Sequence, residues 1–67
     1  MAPNTILRTA IFDSGRTQIE IAKRAEIGES KLSRIIRGHV EATEDERKRI
    51  AKALKKSVEQ LFPQVAA

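Results

Sequence analysis

The amino-acid sequence predicts an all-α domain of five short helices with a helix-turn-helix at its centre, and three observations carry that prediction. Within residues 17–38, two apolar stripes at helical spacing, Ile21-Ala22-Ala25 and Leu32-Ile35-Ile36, flank the break Glu26-Ile27-Gly28-Glu29. A residue suited to cap a helix start (Asn4, Thr17, Thr43 or Ser57) stands ahead of four of the apolar-periodic segments. Sixty-seven residues make a single domain, and one this small buries only ~60% of its unfolded surface, so it has one small core.

Taken in order, Asn4 caps a first helix over Thr5–Asp13 with Leu7, Ala10 and Ile11 as its inner stripe, and Ser14-Gly15 stops it. Thr17 caps the second helix, which runs to residue 25. The third covers residues 29–37, and Gly38 supplies its C-terminal stop. A loop over residues 39–42 leads to Thr43-Glu44-Asp45-Glu46, a capping box with its acids at the positive end of the helix dipole. That fourth helix is expected to reach about residue 55 and to bury Ile50, Ala53 and Leu54. Lys52, Lys55 and Lys56 at its end match the dipole without any ligand. Ser57 with Gln60 forms a further capping box for a short last helix that Pro63 ends. The single domain spans residues 1–67, with no internal repeat or linker, and residues 1–3 and 64–67 are expected to fray.

The outward side of the third helix carries Glu29, Ser30, Lys31, Ser33, Arg34 and Arg37. Short polar groups and long cations of this kind suit base edges and phosphates in a major groove. Periodicity alone, however, establishes helices and not what they bind; a small bundle with a solvated charged face has the same pattern.

The residues themselves go further. Thr17, Gln18, Ile21, Ala22, Ile27, Ser30, Leu32, Ser33, Arg34, Ile35 and Gly38 stand where the motif T-Q-x-x-L-A-x-x-x-G-(V/I)-S-x-S-x-(I/L)-S-R-(I/L)-x-x-G asks for them or a close substitute. This ordered set resembles the phage-repressor and Cro type of helix-turn-helix domain, the XRE or lambda-repressor-like family. Residues 47–54 and 57–62 resemble its fourth and fifth helices, so the likeness covers about residues 5–62. Three departures stand out. Where the family often pairs a buried Arg with a Glu, this chain has Ile11 and Ile36, and replacing both partners of such a pair is compatible with the fold. The turn glycine is Glu26, and the usual serine ahead of the third helix is Gly28. If residue 26 takes positive φ, Glu costs on the order of 1 kcal/mol there. The loop after Gly38 offers only His39 where phage repressors often place several cations.

The resemblance implies sequence-specific binding of double-stranded DNA by a transcriptional regulator, a repressor by expectation. It places Glu29, Ser30, Lys31 and Arg34 at base-reading positions. Arg and Lys suit guanine O6/N7, and Glu suits the cytosine amino group. It also places Thr17 and Gln18 at a phosphate, with Arg16, Ser33, Arg37 and His39 as further phosphate candidates. Each has a plainer reading: Thr17 and Gln18 as helix capping, Glu29 as an acid favouring a helix start, His39 as an exposed loop residue. Arg8, Lys23 and Arg24 are read as solvated face. Phage-repressor-like domains pair on DNA, which implies a homodimer; Phe62 and Val65, with Val58, are the apolar residues left for its interface once Leu61 is assigned to the core.

Composition agrees with these expectations. A net charge of +4 and a pI near 10 favour a polyanionic partner. There is no cysteine, hence no disulfide and no thiolate metal site. The longest apolar run is too short for a membrane span, and no charged-then-apolar signal pattern opens the chain. A cytoplasmic regulator of bacterial or phage origin is expected, acting by occupying its operator and blocking or touching RNA polymerase. With one histidine, no Gly-rich phosphate loop and no recurring ligand spacing, no enzyme activity, cofactor or metal is expected. The competing reading is an antitoxin-like or adaptor module that turns the same fold against another protein.

Overall fold

A computed structural model describes residues 3–63. The described residues form five helices and no strand: α1 (Thr5–Asp13), α2 (Gln18–Ala25), α3 (Glu29–Arg37), α4 (Glu44–Leu54) and α5 (Val58–Leu61). Helix α2 packs on α3 and α4, α1 packs on α3 and α5, and α4 packs on α5. Residues 1, 2 and 64–67, expected to fray, lie outside the described residues.

The four expected caps are all in place. The side chain of Asn4 accepts from the Leu7 N–H, and Thr17, Thr43 and Ser57 each form a reciprocal capping box with the residue three positions on. Asn4 does more than cap. Its Nδ2 donates to the Leu61 carbonyl at 2.8 Å and its backbone N–H to the Ile36 carbonyl at 2.7 Å. This buried amide is thereby satisfied, and it ties the start of α1 to both α3 and α5.

Helices α2, α3 and α4 all end in a left-handed residue: Glu26 (φ 56°), Gly38 (φ 81°) and Lys55 (φ 57°). In each, the N–H groups of that residue and of the one after it fold back on the last turn, as with Glu26 N–H to the Lys23 carbonyl at 3.2 Å and Ile27 N–H to the Ala22 carbonyl at 2.9 Å. Only α3 has the glycine that such a turn favours. The left-handed Lys55 ends α4 at Leu54, one residue earlier than expected.

The core gathers Leu7, Ile21, Leu32, Ile50 and Leu61, all fully buried, with Ile11 and Ile36 in the same cluster. Two apolar side chains thus stand where the family often buries an ion pair, and no charge is left unpaired there. Ala53, expected in the core, is only partly buried; Ala51 and Glu46 are buried instead. Phe62 also departs from expectation. It is 3% exposed and belongs to the core, and its φ of −132° lies outside the helical range. As a surface residue for pairing it is therefore ruled out. Val58 is partly buried against the same core, and Val65 lies outside the described residues.

Candidate nucleic-acid interface

Helix α3 divides cleanly. Leu32, Ile35 and Ile36 are buried, while Glu29, Ser30, Lys31, Arg34 and Arg37 are exposed and Ser33 is partly buried. The exposed face carries three cations to one acid. Its N-cap, Gly28, makes no side-chain hydrogen bond, so no side chain caps the first N–H groups of α3. A Cβ at Gly28 would meet nothing within 4 Å, so the family's usual serine would fit here.

Two contacts from α4 hold this helix and its turn. Lys31 Nζ lies 2.7 Å from Glu46 Oε2, joining the candidate reading helix to the start of α4. The Glu46 carboxylate is buried and held below its ordinary pKa, first by the Lys31 hydrogen bond and then by the Thr43 backbone N–H. The Lys31 side chain remains half exposed. Arg49 reaches back to the turn itself, where its Nη1 donates to the Ala25 carbonyl at 3.1 Å and to the Glu26 carbonyl at 3.0 Å. It satisfies carbonyls that the end of α2 leaves open. Its Nε also lies 2.9 Å from Asp45 Oδ2, close enough for charge pairing though not aligned as a hydrogen bond. Neither brace was foreseen. Asp45 and Arg49 at i,i+4 were a visible pair, but nothing local pointed to the α2 carbonyls or to Lys31.

At the start of α2, the Thr17 hydroxyl accepts from the Glu20 N–H at 3.2 Å, and Glu20 Oε1 accepts from the Thr17 N–H at 3.2 Å. The latter bond is the main reason the Glu20 carboxyl is lowered. The capping role of Thr17 is thus filled. Gln18 is partly buried and its side chain makes no hydrogen bond among the described residues. Arg16 is partly buried just ahead of it, while Arg37 and His39 are exposed at the other end of α3. The structure therefore puts Glu29, Ser30, Lys31, Arg34 and Arg37 on the exposed side of α3, with Ser33 partly buried on the same helix and the remaining phosphate candidates in neighbouring turns and on α2.

A model of the helix-turn-helix family, of the XRE type that includes lambda repressor and Cro, matches residues 11–61. The chain belongs to that family. No curated protein and no solved structure matches it. Helix-turn-helix domains of this family bind DNA and regulate transcription, and enzymatic activity is not typical of them. The match begins at Ile11, inside α1, so it takes in the whole motif and the helices that brace it, but not the first two turns of the domain. Among the described residues no helix is long and apolar enough to cross a membrane, and no cluster of His, Cys, Asp and Glu is placed to hold a metal.

Proposed function

We propose that this protein binds double-stranded DNA sequence-specifically as a transcriptional repressor, with α3 in the major groove. One observation carries the reading: a nine-residue helix with a fully apolar inner stripe presents Ser30, Lys31, Arg34 and Arg37 outward, with Glu29 as its single exposed acid. Helices of this kind place their N-terminal residues at base edges while the preceding helix crosses the backbone. Arg34 and Ser30 are the base readers, Lys31 divides its charge between Glu46 and DNA, and Glu29 accepts from a cytosine amino group. Gln18 and the N–H groups at the start of α2 take a phosphate, helped by Arg16 and Thr17. Ser33, Arg37 and His39 take further phosphates. The bound chain, paired with a second copy, represses by occupying its operator and excluding or contacting RNA polymerase.

Selection from a pool of random duplexes, followed by gel shift across a salt series, tests this. A defined consensus and a steep fall of affinity with salt are expected. Absence of binding at low salt would reject the reading in favour of a protein-interaction module, to which Phe12, 83% exposed on α1, lends structural support.

A further inference from the structure

A cleft opens between the start of α1 and the end of α3, with Asn4 and Ile36 among its lining residues and Arg8, Arg37 and His39 around it. These two guanidinium groups and an imidazole come from three segments of the chain: α1, the last turn of α3 and the loop beyond it. No carboxylate lines the cleft. Among the described residues none of the three side chains joins an ion pair, whereas Lys31, Lys48 and Arg49 are each paired with an acid of α4. The backbone fixes the arrangement, since the Asn4 N–H donates to the Ile36 carbonyl at 2.7 Å and clasps α1 to α3 directly beneath it. Two guanidinium groups and an imidazole brought together beside Ile36, with no carboxylate among the lining residues, are complementary to an anion with several acceptor oxygens.

We propose that Arg8, Arg37 and His39 form a phosphate clamp that takes the DNA backbone at the wall of the groove α3 enters. This rests on the proposed function. Its new member is Arg8, which the residue pattern suggested was solvated face and which lies outside the family match over residues 11–61. Arg37 ends the helix held in the groove, so a backbone phosphate is the anion within its reach. Arg8 enters the interface only because the Asn4 clasp brings α1 alongside.

The test is fluorescence anisotropy of the full chain with a short duplex of arbitrary sequence over a salt series. Wild type, Arg8→Ala and Lys52→Ala are compared, the last removing an exposed cation of α4 outside the cleft. Arg8→Ala is expected to lower the log–log salt slope by about 0.9, the signature of one lost phosphate. Lys52→Ala, with the same loss of net charge, keeps the wild-type slope, and all three melt alike. Equal slopes for the two variants would overturn the clamp and leave the proposed function intact. A wild type that binds no DNA would overturn both. Tight saturable binding of inorganic phosphate at the His39 ring, followed by NMR without DNA, would reassign the cleft to a small anion and overturn the backbone assignment.

Discussion

Lys31 and Arg34 stand three residues apart on α3, and their surroundings divide them. Lys31 has its ammonium 2.7 Å from the buried Glu46 carboxylate, while Arg34 is exposed and joins no ion pair among the described residues. Arg34 is thus free to reach a base edge. Arg34→Ala is expected to weaken binding to the selected site by about 1–3 kcal/mol and to relax preference at one base pair. Equal loss on every sequence would make it a phosphate anchor instead. Glu46 carries a pH dependence. Its folded pKa lies below its ordinary value of 4.5, so the unfolded chain binds the proton more tightly. The stabilisation is complete above the ordinary value and is lost as pH falls through it to the lowered one. Glu46→Gln keeps a side chain able to cap Thr43 but removes the ion pair. With Lys31 half exposed, it is expected to cost about 1 kcal/mol at neutral pH. The cost should vanish in acid, so stability curves from urea unfolding should converge there. A difference that persists at low pH would place the contribution of Glu46 in the cap alone.

At the scale of elements, what was legible was local. Asn4, Thr17, Thr43 and Ser57 announced their helices because a cap acts within three residues of itself, and the stripes of α1 to α4 follow a 3.6-residue period whatever they pack against. The exposed face of α3 was legible for the same reason. The braces were not: Arg49 to Ala25, Lys31 to Glu46 and Asn4 to Leu61 join residues whose sequence separation no periodicity encodes. Phe62 was misplaced because it lies past the last helical turn, where exposure no longer follows the helical period. The left-handed Glu26 was anticipated from the motif position; Lys55 had no such signal. Glu26 gives an element-scale test. Glycine at this φ relieves about 1–2 kcal/mol of backbone strain and gives back about 0.5–1 kcal/mol through the freer unfolded chain. Glu26→Gly should therefore stabilise by roughly 0.5–1 kcal/mol, read as a higher urea midpoint at unchanged slope. Its carbonyl still receives Arg49, so the brace survives the change. A lower midpoint would mean that the Glu26 side chain contributes more than its strain costs.

For the whole molecule the question is how so small a reader reaches regulatory affinity. The described residues measure 27 × 21 × 20 Å, and α3 has nine residues, a rise of about 14 Å at 1.5 Å per residue. Such a helix meets only a few base pairs, and a single module of this size buries too little surface for tight specific binding at physiological salt. Two copies with their reading helices in successive major grooves stand ~34 Å apart. In the proposed pair that spacing exceeds the longest dimension of the described residues, so any contact between the copies is confined to a small area at their margins. A contact of that size is too weak to hold a free dimer and becomes effective once both copies share one duplex, where their local concentration is high. The burial of Phe62 agrees with a small margin, since the largest apolar side chain once available for pairing is taken up by the core. Phe62→Ala should accordingly destabilise the monomer by about 3–5 kcal/mol, seen in thermal melts without DNA, and is no probe of pairing. Stoichiometry is the probe. Sedimentation should show a monomer at micromolar concentration in the absence of DNA and two chains on a duplex carrying the selected site, whose consensus should be a palindrome with half-sites one helical turn apart. Saturation at one chain per duplex, with full affinity, would show that the domain reads its site alone.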